Sequence, residues 1–347
     1  MVAVPFVLGL LSGALNSIVS KAAYQTQEFG ASGKIEFFDK PWFMSLVMFL
    51  AMAAAFPFYY YFQHDTHDTP LRLRSVIVLI IPAALDLFGT SLQQMGLTRI
   101  PVSTFQMLKG SILIFSAFFS ATFLKRRMQR NQQLGVCICF IALAVVGLAT
   151  VLIREDQIRV SSVHDTCWGI ALVLFGQVVC AAQYVLEEYL LKPPLDVPSL
   201  AMVGVEGIWG SLLMLGVLPL LKWWPGNDNG SVEDWMDSIS MVSRSATLQI
   251  ILAAFFISCL VFNICGVIVT QQASAMHHTF LDASRTIFVW LGSLWLFYCS
   301  SEQELGEPLT TWSWLQASGF ILLILGQLLY DNRLIPAEGS DLFTKLL

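Results

Sequence analysis

Ten stretches of this chain are apolar over the length needed to cross a bilayer, and no other feature narrows its fold as far. A spanning helix takes about 20 mostly apolar residues, because lipid offers no partner to a backbone group left unpaired. The stretches run at about 2–24, 42–63, 75–97, 102–124, 133–153, 167–191, 200–221, 248–271, 274–299 and 312–330. They predict an all-α, polytopic membrane protein with ten transmembrane helices. Only 12% of the 347 residues are charged, where a water-facing domain keeps roughly a quarter. The first stretch has no basic residues before it and runs longer than a signal-peptide core, so it is expected to stay as the first span.

The connections are short except 222–247. There Ser231-Val-Glu-Asp234 resembles a capping box, and Val232, Trp235, Met236 and Ile239 share a helical face. A short helix on the membrane surface is expected. Ten spans put both termini on one side, side A. Its loops carry nine basic residues against six acidic, with LKRRMQR at 124–130, while side B carries seven against thirteen. The positive-inside rule makes side A cytosolic. The sequon Asn229-Gly230-Ser231 falls on side B, where a glycosylation candidate belongs.

The two halves resemble each other. Asp86-x-x-Gly89 is followed by Gln93, Phe105 and Lys109; Asn263-x-x-Gly266 is followed by Gln271, Phe280 and Arg285. Asp86 to Lys109 is 23 residues and Asn263 to Arg285 is 22. Asn16 and Lys21 are spaced like Gln183 and Glu188. A duplication of five spans must place its second copy upside down. The chain is therefore divided into repeats at 1–155 and 156–347, as two inverted five-helix repeats of one membrane domain. That architecture belongs to many secondary transporters, with the cargo held near the midplane between the repeats.

An ionisable group in hydrocarbon costs at least about 2.5–3.5 kcal/mol, so each one needs a reason. Eight stand in the expected spans: Lys21, Asp86, Lys109, Glu187, Glu188, Glu206, Asp282 and Arg285, three positive against five negative. Asp86, Thr90 and Gln93 share a face of the third helix. Phe105, Lys109, Ile112 and Ser116 share one on the fourth, and Gln183 and Glu187 one on the sixth. With Asn16, Asn263, Asp282 and Arg285 they form a candidate substrate-binding set on helices 1, 3, 4, 6, 8 and 9. Asp86 and Glu187 are the candidates for proton coupling. Structural readings stand beside these. Asp282 and Arg285 pair at i, i+3; Lys21 and Glu188 snorkel from helix ends; Glu206 bonds a neighbouring helix brought close by the glycines of GVEGIWG.

The seven cysteines lie in or beside apolar stretches, and Cys137-x-Cys139 reads as helix packing. His64-Asp65-Thr66-His67-Asp68 reads as a solvated turn. There is no P-loop, HExxH or GxSxG, so no metal, cofactor or ATP-driven step is expected, and the chain is not read as an enzyme. A net charge of −5 gives no reason to expect a nucleic-acid partner.

Five segments together resemble the drug/metabolite transporter superfamily: PAALDLFGTSLQQMGL (82–97), STFQMLKGSILIFSAFFSATFLKRR (103–127), QYVLEEYLL (183–191), GVEGIWG (204–210) and LDASRTIFVWLGSLWL (281–296). They are most similar to the F-type branch of the nucleotide-sugar-transporter-like solute carriers, near the chloroquine-resistance-type transporters. The resemblance implies two inverted repeats working by alternating access (an EamA-like solute carrier) and an endomembrane location such as lysosome, vacuole or Golgi. Phe105, Gln106 and Lys109 match its helix-4 motif, and Asp282 and Arg285 its helix-9 motif. The loop 222–247 lacks the cysteines that chloroquine-resistance-type proteins carry there.

The expected function is a secondary transporter of a small polar organic solute. The acidic balance favours an amino acid, peptide or amine with proton coupling; Lys109 and Arg285 leave open a nucleotide sugar or organic phosphate. A membrane-embedded lipid enzyme needs catalytic groups that only residues 64–68 approach. A non-transporting scaffold leaves the repeat and the buried charges without a purpose. Cargo, coupling ion, direction of flux and oligomeric state are not written in the residues.

Overall fold

The computed structural model describes residues 3–62, 73–123, 129–156, 163–192, 197–273 and 312–330, except 32, 34, 98, 101, 227 and 229, together with 277–279, 281, 282, 284, 285, 288, 289, 292 and 298. Over these the chain is almost wholly helical. The helices are α1 (Ala3–Gln25), α2 (Pro41–Ala53), α3 (Ala55–Phe62), α4 (Leu73–Val78), α5 (Ile80–Leu97), α6 (Val102–Lys109), α7 (Ile112–Phe123), α8 (Arg130–Asp156), α9 (Val163–Leu191), α10 (Ser199–Trp223), α11 (Trp235–Arg244), α12 (Ala246–Gln272) and α13 (Ser313–Tyr330). One antiparallel hairpin, β1 (Gln27–Phe29) with β2 (Ile35–Phe37), joins α1 to α2.

Two breaks inside spans have the same cause. The interruption at Ala54 falls three residues before Pro57, and that at Leu79 three residues before Pro82. A proline removes one helical N–H and crowds the carbonyl four residues back. Counted across these breaks, eight of the ten expected stretches form helices long and apolar enough to cross a membrane. The fourth forms a shorter apolar helix, Met107–Phe123. It tightens in mid-course, where Gly110, Ser111, Leu113 and Ile114 each donate to the carbonyl three residues back, at 3.0–3.4 Å. The ninth stretch lies mostly outside the described residues, as do residues 64–68, Asn229, Cys299 and most of the basic cluster at 124–130.

The most extensive helix pairings are α5 with α9, α1 with α12, α10 with α2 and α8 with α13. Small residues permit them. A Cβ on Gly176 would stand 2.9 Å from the Gly89 carbonyl, and one on Gly96 2.9 Å from that of Gly169. On α10, Gly207 lies against the backbone of Met52 and Ala53, and Gly204 and Gly210 against Phe56 and Phe49. The GVEGIWG glycines thus seat α10 on its own chain's second span. The described cysteines are free thiols.

The surface helix expected in 222–247 is α11, but its cap is not Ser231. The Asp234 side chain accepts from the Met236 N–H at 3.0 Å. The side turned inward is formed by Asp237, Ser238 and Met241, while Met236 and Ile239 face outward. Trp223 and Trp224 lie exposed just before this loop, so an apolar and aromatic face is left where a membrane interface would take it.

This loop is fastened to the start of the second span. Lys40, which is 2% exposed, bonds Asp228 at 2.5 Å and Asp237 at 2.8 Å. Glu36, Asp228 and Asp237 hold their oxygens within 4.8 Å of one another, so the Lys40 ammonium stands where a metal ion would otherwise balance them. Asp237 also accepts the Ala31 N–H of the hairpin turn at 2.5 Å. The N-terminus of α2 has no cap of its own; Glu233 supplies one, accepting from Trp42 at 2.9 Å and Phe43 at 2.7 Å.

Burial pushes the Glu233 carboxyl up from 4.5 to about 8, against the pull of those two N–H donors and of Lys40. Its folded pKa lies above its unfolded one, so its stabilising contribution is complete below about pH 4.5 and is lost as pH rises towards 8. Burial raises Asp39 as well, with the same sign. Burial also works to raise Asp237 and to lower Lys40, but their mutual bonds win: Asp237 stays below and Lys40 above its ordinary value, both outside that window. Stability in detergent is expected to fall from pH 5 to pH 8, with Glu233 contributing at most about 1.4 kcal/mol per pH unit. Glu233→Gln should flatten most of it; an unchanged slope would place the titration elsewhere.

Candidate functional site

A cavity of about 140 Å³ gathers Asn16, Asp86, Thr90, Gln93, Phe105, Lys109, Gln183, Glu187, Asn263, Asp282 and Arg285. Its walls are α1, α5, α6 with the start of α7, α9, α12 and the residues His278, Asp282 and Arg285, which correspond to helices 1, 3, 4, 6, 8 and 9 of the sequence. Two further helices contribute: α2 through Met48 and Met52, and α10 through Glu206.

Each wall presents polar groups at helical spacing. On α5 the Thr90 hydroxyl donates to Asp86 at 2.8 Å, and the Gln93 amide to the Cys180 sulfur of α9 at 2.9 Å. On α1, Asn16 donates to the Cys259 sulfur of α12 at 2.6 Å. On α9, Gln183 donates to Glu187 at 2.7 Å. Asp282 and Arg285 form the ion pair their spacing predicts, at 3.0 Å, and the Tyr184 hydroxyl donates to Asp282 at 2.8 Å. The Arg285 guanidinium lies over the Phe262 ring, 4.6 Å from its centroid.

Other sequence readings change. Ser116 is buried but does not line the cavity, because the tightening at 110–114 turns α7 out of phase with α6. Glu188 faces away and pairs with Lys192 at 2.5 Å. Lys21, read as a snorkelling residue, lines the cavity, and so does Glu206, read as a helix–helix bond. Gln106 has no described side chain.

Tyr184 and His278 were not singled out. Tyr184 lies on the face of α9 shared by Cys180 and Glu187, so its place was open to inspection. His278 offers no such signal. Its ring stacks on Tyr184, with centroids 4.1 Å apart and planes at 17°. The Thr270 hydroxyl donates to the Gly266 carbonyl at 3.0 Å, so its oxygen accepts from His278 Nδ1 at 3.1 Å. That assigns the tautomer protonated on Nδ1.

Two kinds of incompletely compensated ionisable group result. Among the described residues the Lys109 ammonium makes no ion pair within 4 Å and lies over the Phe105 ring, 5.5 Å from its centroid. Glu187 and Glu206, each 1% exposed, both keep a carboxylate oxygen without a hydrogen-bond partner. A site with those groups can hold a charged solute or a proton.

The family model of the EamA-like transporter family matches residues 6–148. Solute carrier family 35 member F6 of Rattus norvegicus is 31% identical over 337 residues, covering 94% of this chain and 87% of the relative. The Homo sapiens protein of that name is 31% identical over 344 residues, covering 96% and 89%. A solved crystal structure 12% identical in sequence superposes over 97% of this chain and 99% of its own with a TM-score of 0.59, a likeness of fold alone. The likeness to the solute carriers runs over nearly the whole chain, and the chain belongs to the EamA-like drug/metabolite transporters, multi-pass membrane solute transporters, within the F branch of solute carrier family 35.

Proposed function

We propose that the chain is a secondary transporter of a small polar organic solute, working by alternating access across an endomembrane with both termini cytosolic. The observation that carries this reading is a cavity lined from both halves of the sequence by buried, incompletely compensated ionisable groups. Two inverted five-helix repeats are supported by the helix pairings. Exchanging the first five spans with the second five maps α5–α9 onto α12–α1 and maps α10–α2 and α8–α13 each onto itself. Such symmetry lets one set of contacts open while its counterpart closes.

The cargo reading is a cationic or zwitterionic solute, an amino acid, peptide or amine, with Asp86 or Glu187 as proton carrier. Lining residues Lys21, Lys109 and Arg285 oppose Asp86, Glu187, Glu206 and Asp282, three positive against four negative. The names of the relatives support a solute as cargo and specify none. A nucleotide sugar or organic phosphate is the second reading, favoured by the unpaired Lys109.

In proteoliposomes, Asp86→Asn is expected to abolish the pH dependence of solute exchange while leaving exchange itself measurable. A pH profile unchanged from the parent would remove Asp86 from the coupling. The same profile surviving Glu187→Gln would remove both candidates.

A further inference from the structure

The unpaired charges of the cavity are not mixed but sorted. Lys109 ends α6, and Ile112, one turn on, packs against Cys180 of α9, so the ammonium stands near the level of Cys180. Arg285 belongs to the same end, facing Tyr184 of α9 through Asp282. Glu187 lies seven residues beyond Cys180 on α9, roughly 10 Å further along at 1.5 Å per residue. Glu206, which lines the same cavity, comes from the first third of α10. The incompletely paired cations therefore stand at one level and the unpartnered carboxyl groups at another, while Asp282 stays paired with Arg285 and Asp86 with Thr90.

Each end also has valence to spare. The Lys109 ammonium has no ion-pair partner among the described residues, and the Arg285 guanidinium keeps its Nε without an acceptor. At the far end Glu187 Oε2 and Glu206 Oε1 are buried and unpartnered. Unpaired charge at both ends of a buried cavity is costly, and one molecule bearing both opposite charges would satisfy both ends together.

We propose that the cavity is a two-pole site for a short zwitterion, its anionic end at Lys109 and Arg285 and its ammonium end at Glu187 and Glu206. The inference rests on the transporter reading for its purpose but not for its geometry. A separation of roughly 10 Å selects the length: an extended peptide gains at most about 3.3–3.6 Å per residue, so two or three residues fill it and a single amino acid does not. Neither a simple amine nor a simple anion satisfies both poles.

The test is ligand-induced thermal stabilisation of the purified full-length protein. The probes are alanine, dialanine, trialanine, N-acetyl-trialanine, trialanine amide and UDP-glucose. Trialanine is expected to raise the melting temperature and to bind about tenfold more tightly than alanine, a difference set by the loss of one charged contact. Acetylating the amine or amidating the carboxylate should each weaken binding by a similar factor. Glu206→Gln should reduce the penalty of acetylation but not that of amidation, and Lys109→Met the reverse. The capped peptides keep the test decisive should either variant fail to fold.

Stabilisation by no peptide, or equal stabilisation by free and capped forms, overturns the two-pole site. So does stabilisation by UDP-glucose that depends on Lys109 and ignores Glu206. Binding is read here without flux, so these failures leave the transporter reading intact. A protein that binds trialanine yet exchanges no solute across a liposome would instead keep the site and sink the transporter reading.

Discussion

Lys40→Met is expected to destabilise the purified protein by about 3–5 kcal/mol, the cost of breaking a buried ion pair by removing one partner. The ammonium is 2% exposed and balances two carboxylates, and Asp237 is itself 1% exposed. Without Lys40, Asp228 and Asp237 lose the cation they share and stand beside Glu36 as a third carboxylate. The damage should spread, because Asp237 also pins the hairpin at Ala31, and Arg244 of the same helix donates to the Gly30 carbonyl at 3.2 Å. Detergent melting curves check this. The double variant Lys40→Met with Asp237→Asn should recover a measurable part of the loss, since it removes one of the stranded charges. A loss under about 1 kcal/mol would mean that water already solvates the cluster.

The second large effect is a contrast between two cations of one cavity. Arg285→Met should cost about 3–5 kcal/mol, because it strands Asp282, which is 4% exposed and already receives the Tyr184 hydroxyl. Adding Asp282→Asn should restore much of that. Lys109→Met should do the opposite and leave stability unchanged or raised by about 1 kcal/mol, since it deletes a charge that the folded chain leaves unpaired. Thermal unfolding of the three variants decides it. Equal losses from Arg285→Met and Lys109→Met would mean that Lys109 is held by the fold as firmly as Arg285.

Much of this site could be read before any coordinates. Helical spacing is rigid enough that Asp86, Thr90 and Gln93, or Gln183 and Glu187, had to share a face. A polar residue in a membrane helix has few places to go other than the interior. What the spacing cannot deliver is phase across an irregularity. Ser116 was assigned to the face of Lys109 on the assumption of a regular helix, and the tightening at Gly110–Ser111 turned it aside. Nor does spacing say which of two neighbouring acids turns inward: Glu187 lines the cavity, while Glu188 is drawn off by Lys192. His278 depends on a partner eight residues away across a helix end, a relation with no period to betray it. The cap of α11 was misplaced by three residues because Ser231 and Asp234 carry equally good acceptors, and only the path of the loop chooses between them.

The tightened turn at 110–114 has one more consequence. Each residue of an α-helix advances the side chain by roughly 100°, and each residue of a 3₁₀ turn by roughly 120°. A single residue gained or lost there would therefore swing every side chain beyond it to another wall without altering one contact before it. Along this stretch the number of residues matters as much as their identity, and a one-codon insertion or deletion would redraw the cavity more thoroughly than most substitutions.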